Sequence, residues 1–169
     1  DYNKRVLKVY QAIHENYKNK DEVLHKIYEY VKSINYDEES LAKRQKYILD
    51  GGKFHKFNNK FKSINSSYKA LMQNTAVCEG YVNLLRYFYK LENVDLYPVF
   101  CEYKGQSHVA AKALIDGSEL YFDPELDHRF NNDNNYMISK ENFYINHDLL
   151  FNRDNFDIII EVKGKAREK

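Results

Sequence analysis

The sequence contains no tryptophan, only two cysteines, and no excess of either charge. Each shortage closes off a class of function. With 26 basic against 25 acidic residues and a formal net charge of +1, there is no overall electrostatic footprint for nucleic acid or an anionic membrane surface. The cysteines, Cys78 and Cys101, are too few and too far apart for any zinc-ligand pattern, which leaves one disulfide or two free thiols. No apolar run approaches the roughly 18 residues of a membrane span, so no membrane insertion is expected. No signal-peptide pattern heads the chain.

What is present fits one globular domain over residues 1–169: 43% of the residues are hydrophobic, and the length allows burial of roughly two thirds of the unfolded surface. Sixteen tyrosines and ten phenylalanines make the core aromatic. The chain falls into a helical N-terminal part with a loop (1–65), a central part (66–127) and a C-terminal loop and strand (128–169).

Val6, Tyr10, Ile13 and Tyr17 recur at helical spacing, as do Val23, Ile27, Tyr30, Val31 and Ile34, predicting two amphipathic helices with a break near Asn19 to Asp21. His14 and His25 lie among charged residues and read as surface histidines. A third helix is expected over Glu39 to Leu49, stopped by Gly51 and Gly52. The stretch to Asn65 mixes Lys and Asn with Phe54, Phe57 and Phe61. Such a mixture can stack on single-stranded nucleic acid, but the balanced charge favours a loop beside a cleft.

Ser66 and Ser67 cap a short helix through Met72. A longer one then runs to Leu91, with Asn74 or Thr75 as its N-cap and Val77, Tyr81, Leu84, Phe88 and Leu91 as its buried stripe. Cys78 sits in its first turn, one position off the stripe, where the helix dipole and free amides favour a thiolate. Gly80 costs such a helix roughly 1 kcal/mol relative to alanine and implies close approach by another element, expected to be a strand.

After Asn93 the residues are β-formers. Val94 to Tyr103 reads as a strand, with Pro98 demanding an edge or a bulge, and Lys104-Gly105 as a turn. Ser107 to Ile115 and Glu119 to Phe122 form a hairpin through Asp116-Gly117. With a two-residue turn, Ile115 faces Ser118 and His108 lies diagonally across from Asp123 on one face. Asp127 to Asn135 is a polar loop without the spacing of an EF-hand calcium site. Phe156 to Val162 reads as a further strand and Gly164 to Lys169 as a charged tail.

A cysteine at a helix start, a strand histidine and an aspartate one strand on are the parts of a thiol site: nucleophile, base, and a group that orients the base. By spacing alone, Cys78 as a buried small hydrophobe and His108 as a structural residue remain competing readings.

The blocks KIYEYVKSINYDEES, SSYKALMQNTAVCEGYVNLLRYF and SHVAAKALIDGSELYFDPELD, spanning about Val23 to Asp127, resemble in order those of bacterial transglutaminase-like domains of the papain-like cysteine protease superfamily. In that family a helix ends in a Tyr-Asp pair, here Tyr36 and Asp37, and a Gly-Val-Cys-x-Gly-Tyr block, here AVCEGY, opens the catalytic helix. The tail MISKENFYINHD is similar to the family's closing region.

The resemblance implies an α+β papain-like, transglutaminase-like core in which N-terminal helices and a catalytic helix pack on an antiparallel sheet. It implies Cys78 as nucleophile, His108 as general base and acid, and Asp123 as the group orienting His108. Gln73, five residues upstream of Cys78, is a candidate side-chain oxyanion donor, with helix capping or solvation as the other reading. Many relatives follow the histidine with Ala-Trp-Asn; here Val109, Ala110 and Ala111 stand instead, which implies a reshaped acyl pocket, a different acceptor, or binding without catalysis.

The activity implied is acyl transfer or hydrolysis at amide bonds of a protein or peptide, with no cofactor, no metal and no nucleic-acid partner. A non-catalytic module binding protein or cell-wall components is the alternative, and an unrelated structural domain with core or disulfide-bonded cysteines a third. Family habit, with a chain beginning at Asp1 rather than Met, points to an extracytoplasmic or secreted location, at the cell surface in one version. The oligomeric state is left open.

Overall fold

The computed structural model describes residues 1–53 and 65–149. The loop carrying Phe54, Phe57 and Phe61 and the strand expected over Phe156 to Val162 lie outside the described residues. The elements in chain order are α1 (Tyr2–Asn16), α2 (Lys20–Lys32), β1 (Asn35–Tyr36), α3 (Glu38–Leu49), α4 (Ser67–Gln73), β2 (Thr75–Ala76), α5 (Cys78–Leu91), β3 (Leu96–Tyr103), β4 (Gln106–Ile115), β5 (Ser118–Phe122), α6 (Pro124–Phe130), α7 (Lys140–Asn146) and β6 (Asp148–Leu149). The expected α+β architecture is the one observed: helices in the first half, then an antiparallel sheet ordered β5-β4-β3-β6.

Most helix starts follow from short polar side chains. Asn19 Oδ1 accepts from the Asp21 and Glu22 amides, Asp37 Oδ1 from Ser40, and Ser66 Oγ from Lys69, each satisfying donors that a first turn leaves open. Gly51, at φ 87°, closes α3 in the left-handed region.

The start of α5 differs from expectation. Asn74, at φ 55°, ends α4, and Thr75-Ala76 pairs in parallel with Asn35-Tyr36. The Asp37 amide donates to Ala76 O at 2.8 Å, and the Asn35 amide to Asn74 O at 3.2 Å. This non-local pairing keeps residues 75–76 extended, so the helix begins at Cys78, with Val77 in the cap position and no capping side chain. Tyr81, Leu84 and Phe88 are buried as predicted, but Leu85 and Tyr89 share that face while Leu91 is exposed. Gly80 is buried in the first turn.

The sheet is set by two tight hairpins. Lys104-Gly105 and Asp116-Gly117 all have positive φ, which a two-residue turn of matching twist requires, and they fix Tyr103 opposite Gln106 and Ile115 opposite Ser118. Pro98 pairs with Ala111 of β4, and on its other side β6 reaches only Cys101 and Glu102, so the missing amide hydrogen faces an edge among the described residues.

Alternation along β4 divides the core. Val109, Ala111 and Ala113 face inward to a large cluster with α2 and α5 that includes Leu24, Tyr28, Tyr81, Phe88 and Phe122. Ala110 points to the opposite face, where Val99, Cys101, Tyr121 and Phe143 of α7 form a second cluster. The stretch expected as a polar loop from Asp127 is partly helical, and both of its ends are buried: Asp127 accepts from Tyr28 Oη at 2.5 Å and from Asn135 Nδ2 at 3.0 Å.

Candidate functional site

Where the N-terminus of α5 meets the ends of β3 and β4 there is a cleft of about 330 Å³, lined by Cys78, His108, Tyr36, Tyr103, Glu125 and Arg129 among others. Cys78 and His108, far apart in sequence, both face this cleft. Cys78 is half-buried in the first turn of α5, with its thiol free. Cys101 is also free and fully buried, so the disulfide reading is not realised; its Sγ donates to His108 O at 3.6 Å, and burial pushes its thiol up, with Asp123 adding to the effect.

His108 Nε2 lies 2.6 Å from Asp123 Oδ2. The hairpin register makes this contact possible. Phe122 is opposite Ala111, so Asp123, just beyond the strand, is carried back toward the first residues of β4. Asp123 then caps α6, its Oδ1 accepting from the Leu126 amide at 3.0 Å. One carboxylate oxygen thus begins a helix while the other holds the imidazole, which ties the orientation of the ring to the start of α6.

Electrostatics follow from burial and pairing. Burial disfavours a charged His108, but the Asp123 carboxylate outweighs it, with a further contribution from Cys78, and the imidazole stays protonated well above the ordinary histidine range. Burial likewise opposes the Asp123 charge, and the two histidines beside it hold the carboxyl well below the usual carboxylate range. Burial, with Glu125 and Cys78 nearby, pushes the Tyr36 hydroxyl up to about 12, so it stands at the cleft as a neutral donor.

Of the residues singled out by sequence, Cys78, His108 and Asp123 come together at this cleft; Gln73 does not. It is the last residue of α4, exposed, and not among the residues that line the cleft. Tyr36 lines the cleft. Asp37 has a supporting part, capping α3 and pairing with Lys69 at 2.5 Å. Val109, Ala110 and Ala111 are buried within the two core clusters.

Three contributors were not legible beforehand. His147 Nε2 lies 2.7 Å from the same Asp123 Oδ2, with its ring stacked on Phe143 at 3.9 Å. Glu125, buried, has Oε1 3.9 Å from His108 Nδ1 and takes Arg129 through two nitrogens at 2.6 and 3.2 Å. Arg129 in turn lies over the Tyr103 ring, 5.6 Å from its centroid. The i, i+4 spacing of Glu125 and Arg129 was visible; no spacing marked His147.

A ring nitrogen of His108, a carboxylate oxygen of Asp123 and a ring nitrogen of His147 lie within 4.8 Å of one another, as do the corresponding atoms of His25, Glu29 and Asp133 near the surface. In the first trio the Asp123 oxygen already meets both imidazoles at hydrogen-bond distance. His25 and Asp133 are also engaged with each other at 3.1 Å, and Lys32 pairs with Asp133 at 2.6 Å.

The comparisons with known proteins agree with this architecture. No curated protein matches the chain. Among solved structures it is similar to one titled "Crystal structure of a TGase", with a TM-score of 0.55 and 13% identity over 72% of this chain. At that identity the likeness is one of fold, and the chain spans 31% of that structure's length. The family model described as a transglutaminase-like domain matches residues 4–147. With most of its length so covered, the chain belongs to the transglutaminase-like domain family.

Proposed function

We propose that this chain is a thiol enzyme performing acyl transfer or hydrolysis at amide bonds of a protein or peptide, with Cys78 as nucleophile, His108 as base and acid, and Asp123 orienting His108. The observation that carries the reading is the His108 ring itself. Its Nε2 is bound to a buried carboxylate at 2.6 Å, while the ring also interacts with a half-buried thiol at a helix start. A histidine satisfied for structural reasons alone would not have to share a cleft with that thiol.

In the step this geometry favours, the Cys78 thiolate adds to the amide carbonyl carbon. The carbonyl oxygen becomes an oxyanion that accepts from the backbone N–H of Cys78, which no capping side chain occupies. His108 gives its Nδ1 proton to the leaving amine as the C–N bond breaks, leaving a thioester and a neutral imidazole. An incoming amine or water then loses its proton to His108 as it attacks, and the thiolate leaves. Through both halves His108 Nε2–H stays on Asp123, so the ring cannot turn away.

The test is incubation of the protein with glutamine peptides, with and without an added primary amine. Ammonia release is followed in both, together with incorporation of the amine. Turnover that disappears in both Cys78→Ala and His108→Ala supports the reading, and incorporation separates transfer from hydrolysis. Turnover equal in the wild type and Cys78→Ala would end it.

A further inference from the structure

His147 is the feature that the triad does not explain. It is 1% exposed, and its Nδ1 lies 3.0 Å from Phe143 O while its Nε2 lies 2.7 Å from Asp123 Oδ2. A carbonyl oxygen can only accept, and an ionised carboxylate can only accept. A neutral imidazole has a single N–H, so it would leave one of these contacts as two lone pairs face to face. Both contacts are satisfied together when each ring nitrogen carries a proton.

From this donor count we propose that His147 is a buried imidazolium that keeps Asp123 ionised through the reaction, a positioning residue acting through that carboxylate. The inference rests on the proposed acyl transfer for its role in catalysis, though not for its chemistry. The site then alternates in sign from the thiolate through His108 and Asp123 to His147, and is neutral as a set. When His108 has passed its Nδ1 proton to the leaving amine, it is uncharged, and Asp123 is left fully buried with only neutral donors on that side. His147 supplies the compensating charge at that moment.

Among the described residues, no other cation is placed to do so. The titratable groups that act on Asp123 or are acted on by it from the neighbouring elements are Tyr28 of α2, Cys101 of β3, His108 of β4, and Asp127 and Arg129 of α6. Of these only His108 and Arg129 are cationic, and Arg129 is held by Glu125 through two nitrogens. Tyr103 closes the remaining side with its ring, 6.0 Å from His147 and 6.3 Å from His108. The stack on Phe143, inclined by 7°, holds the His147 ring in the plane from which Nε2 meets Asp123.

The direct test is NMR of the wild-type protein labelled with 15N-histidine at pH 7, with the His147 ring assigned through its own backbone. Both ring nitrogens resonating as protonated nitrogens is the expected result; one bare nitrogen overturns the proposal, whatever the activity proves to be. The second test is the pH profile of peptide turnover in His147→Phe, which keeps a ring, and His147→Gln, which keeps a donor without charge. Removing the cation makes the proton on His108 harder to release. The alkaline limb should therefore move up by about 1 unit or more in both variants, with a fall in kcat. A limb that stays in place, or His147→Gln behaving as the wild type, contradicts a role for the charge. A protein without turnover would sink the proposed function while leaving the NMR result to decide the state of His147.

Discussion

His108 is held by competing effects: burial that would strip its proton and a carboxylate 2.6 Å away that retains it. The carboxylate wins because Asp123 is ionised, so the charge matters more than the hydrogen bond. Asp123→Asn keeps the shape and the possibility of a hydrogen bond but removes the charge and favours the wrong tautomer. Peptide turnover in that variant should fall roughly 10²- to 10⁴-fold, the range general acid–base catalysis commonly supplies, with the melting temperature read alongside to separate unfolding from chemistry. The same carboxyl sets a pH dependence of stability. Its folded-state titration lies below its unfolded value, so its stabilising effect is present above about pH 4 and is lost as pH falls further. Asp127 works in the opposite sense: burial pushes it up to about 6, so it favours the folded state as pH falls from about 6 toward 4. Urea unfolding should therefore show a loss of stability below about pH 4 in the wild type and a flatter response there in Asp123→Asn.

Among the elements, α7 has more influence than its seven residues suggest. Phe143 is fully buried on the outer face of the sheet, 4.6 Å from the Tyr121 ring, and it carries the His147 stack. Phe143→Ala should cost about 3 to 5 kcal/mol in chemical denaturation and lower turnover in the folded fraction by freeing His147. The part α7 plays was hidden from sequence, and the reason is physical. The β4–β5 hairpin was legible because Asp116-Gly117 encodes its turn locally, and the register that brings Asp123 to His108 followed from that turn. The start of α5 was misplaced by a few residues because Thr75-Ala76 is held extended by β1, some forty positions earlier, and local propensity carries no trace of such a partner. Gln73 falls away from the cleft with the end of α4 for the same reason. His147 lies in the stretch MISKENFYINHD that resembles the family's closing region, but no spacing singles it out: its partners are a backbone carbonyl one turn back and a carboxylate on another element.

At the scale of the molecule, the helical half and the sheet half each supply part of the cleft. Cys78 comes from the helical side and His108 and Asp123 from the sheet side, so their alignment depends on how the halves dock. Beside the shared apolar core, Tyr28 of α2 is one buried polar tie between them, donating to Asp127 Oδ2 at 2.5 Å and to Asn135 O at 3.1 Å. Tyr28→Phe leaves a buried carboxylate one donor short and should cost about 1 to 3 kcal/mol on denaturant unfolding. In the proposed function the docked halves bring Cys78 to His108, which takes up its proton. The measurement that reaches this claim most directly is the rate of iodoacetamide alkylation at Cys78 across pH, read by peptide mass spectrometry in the wild type and in His108→Ala. Fast labelling near neutrality, slowed and shifted to alkaline pH in His108→Ala, is the predicted result. A slow thiol with the same profile in both proteins would contradict the account.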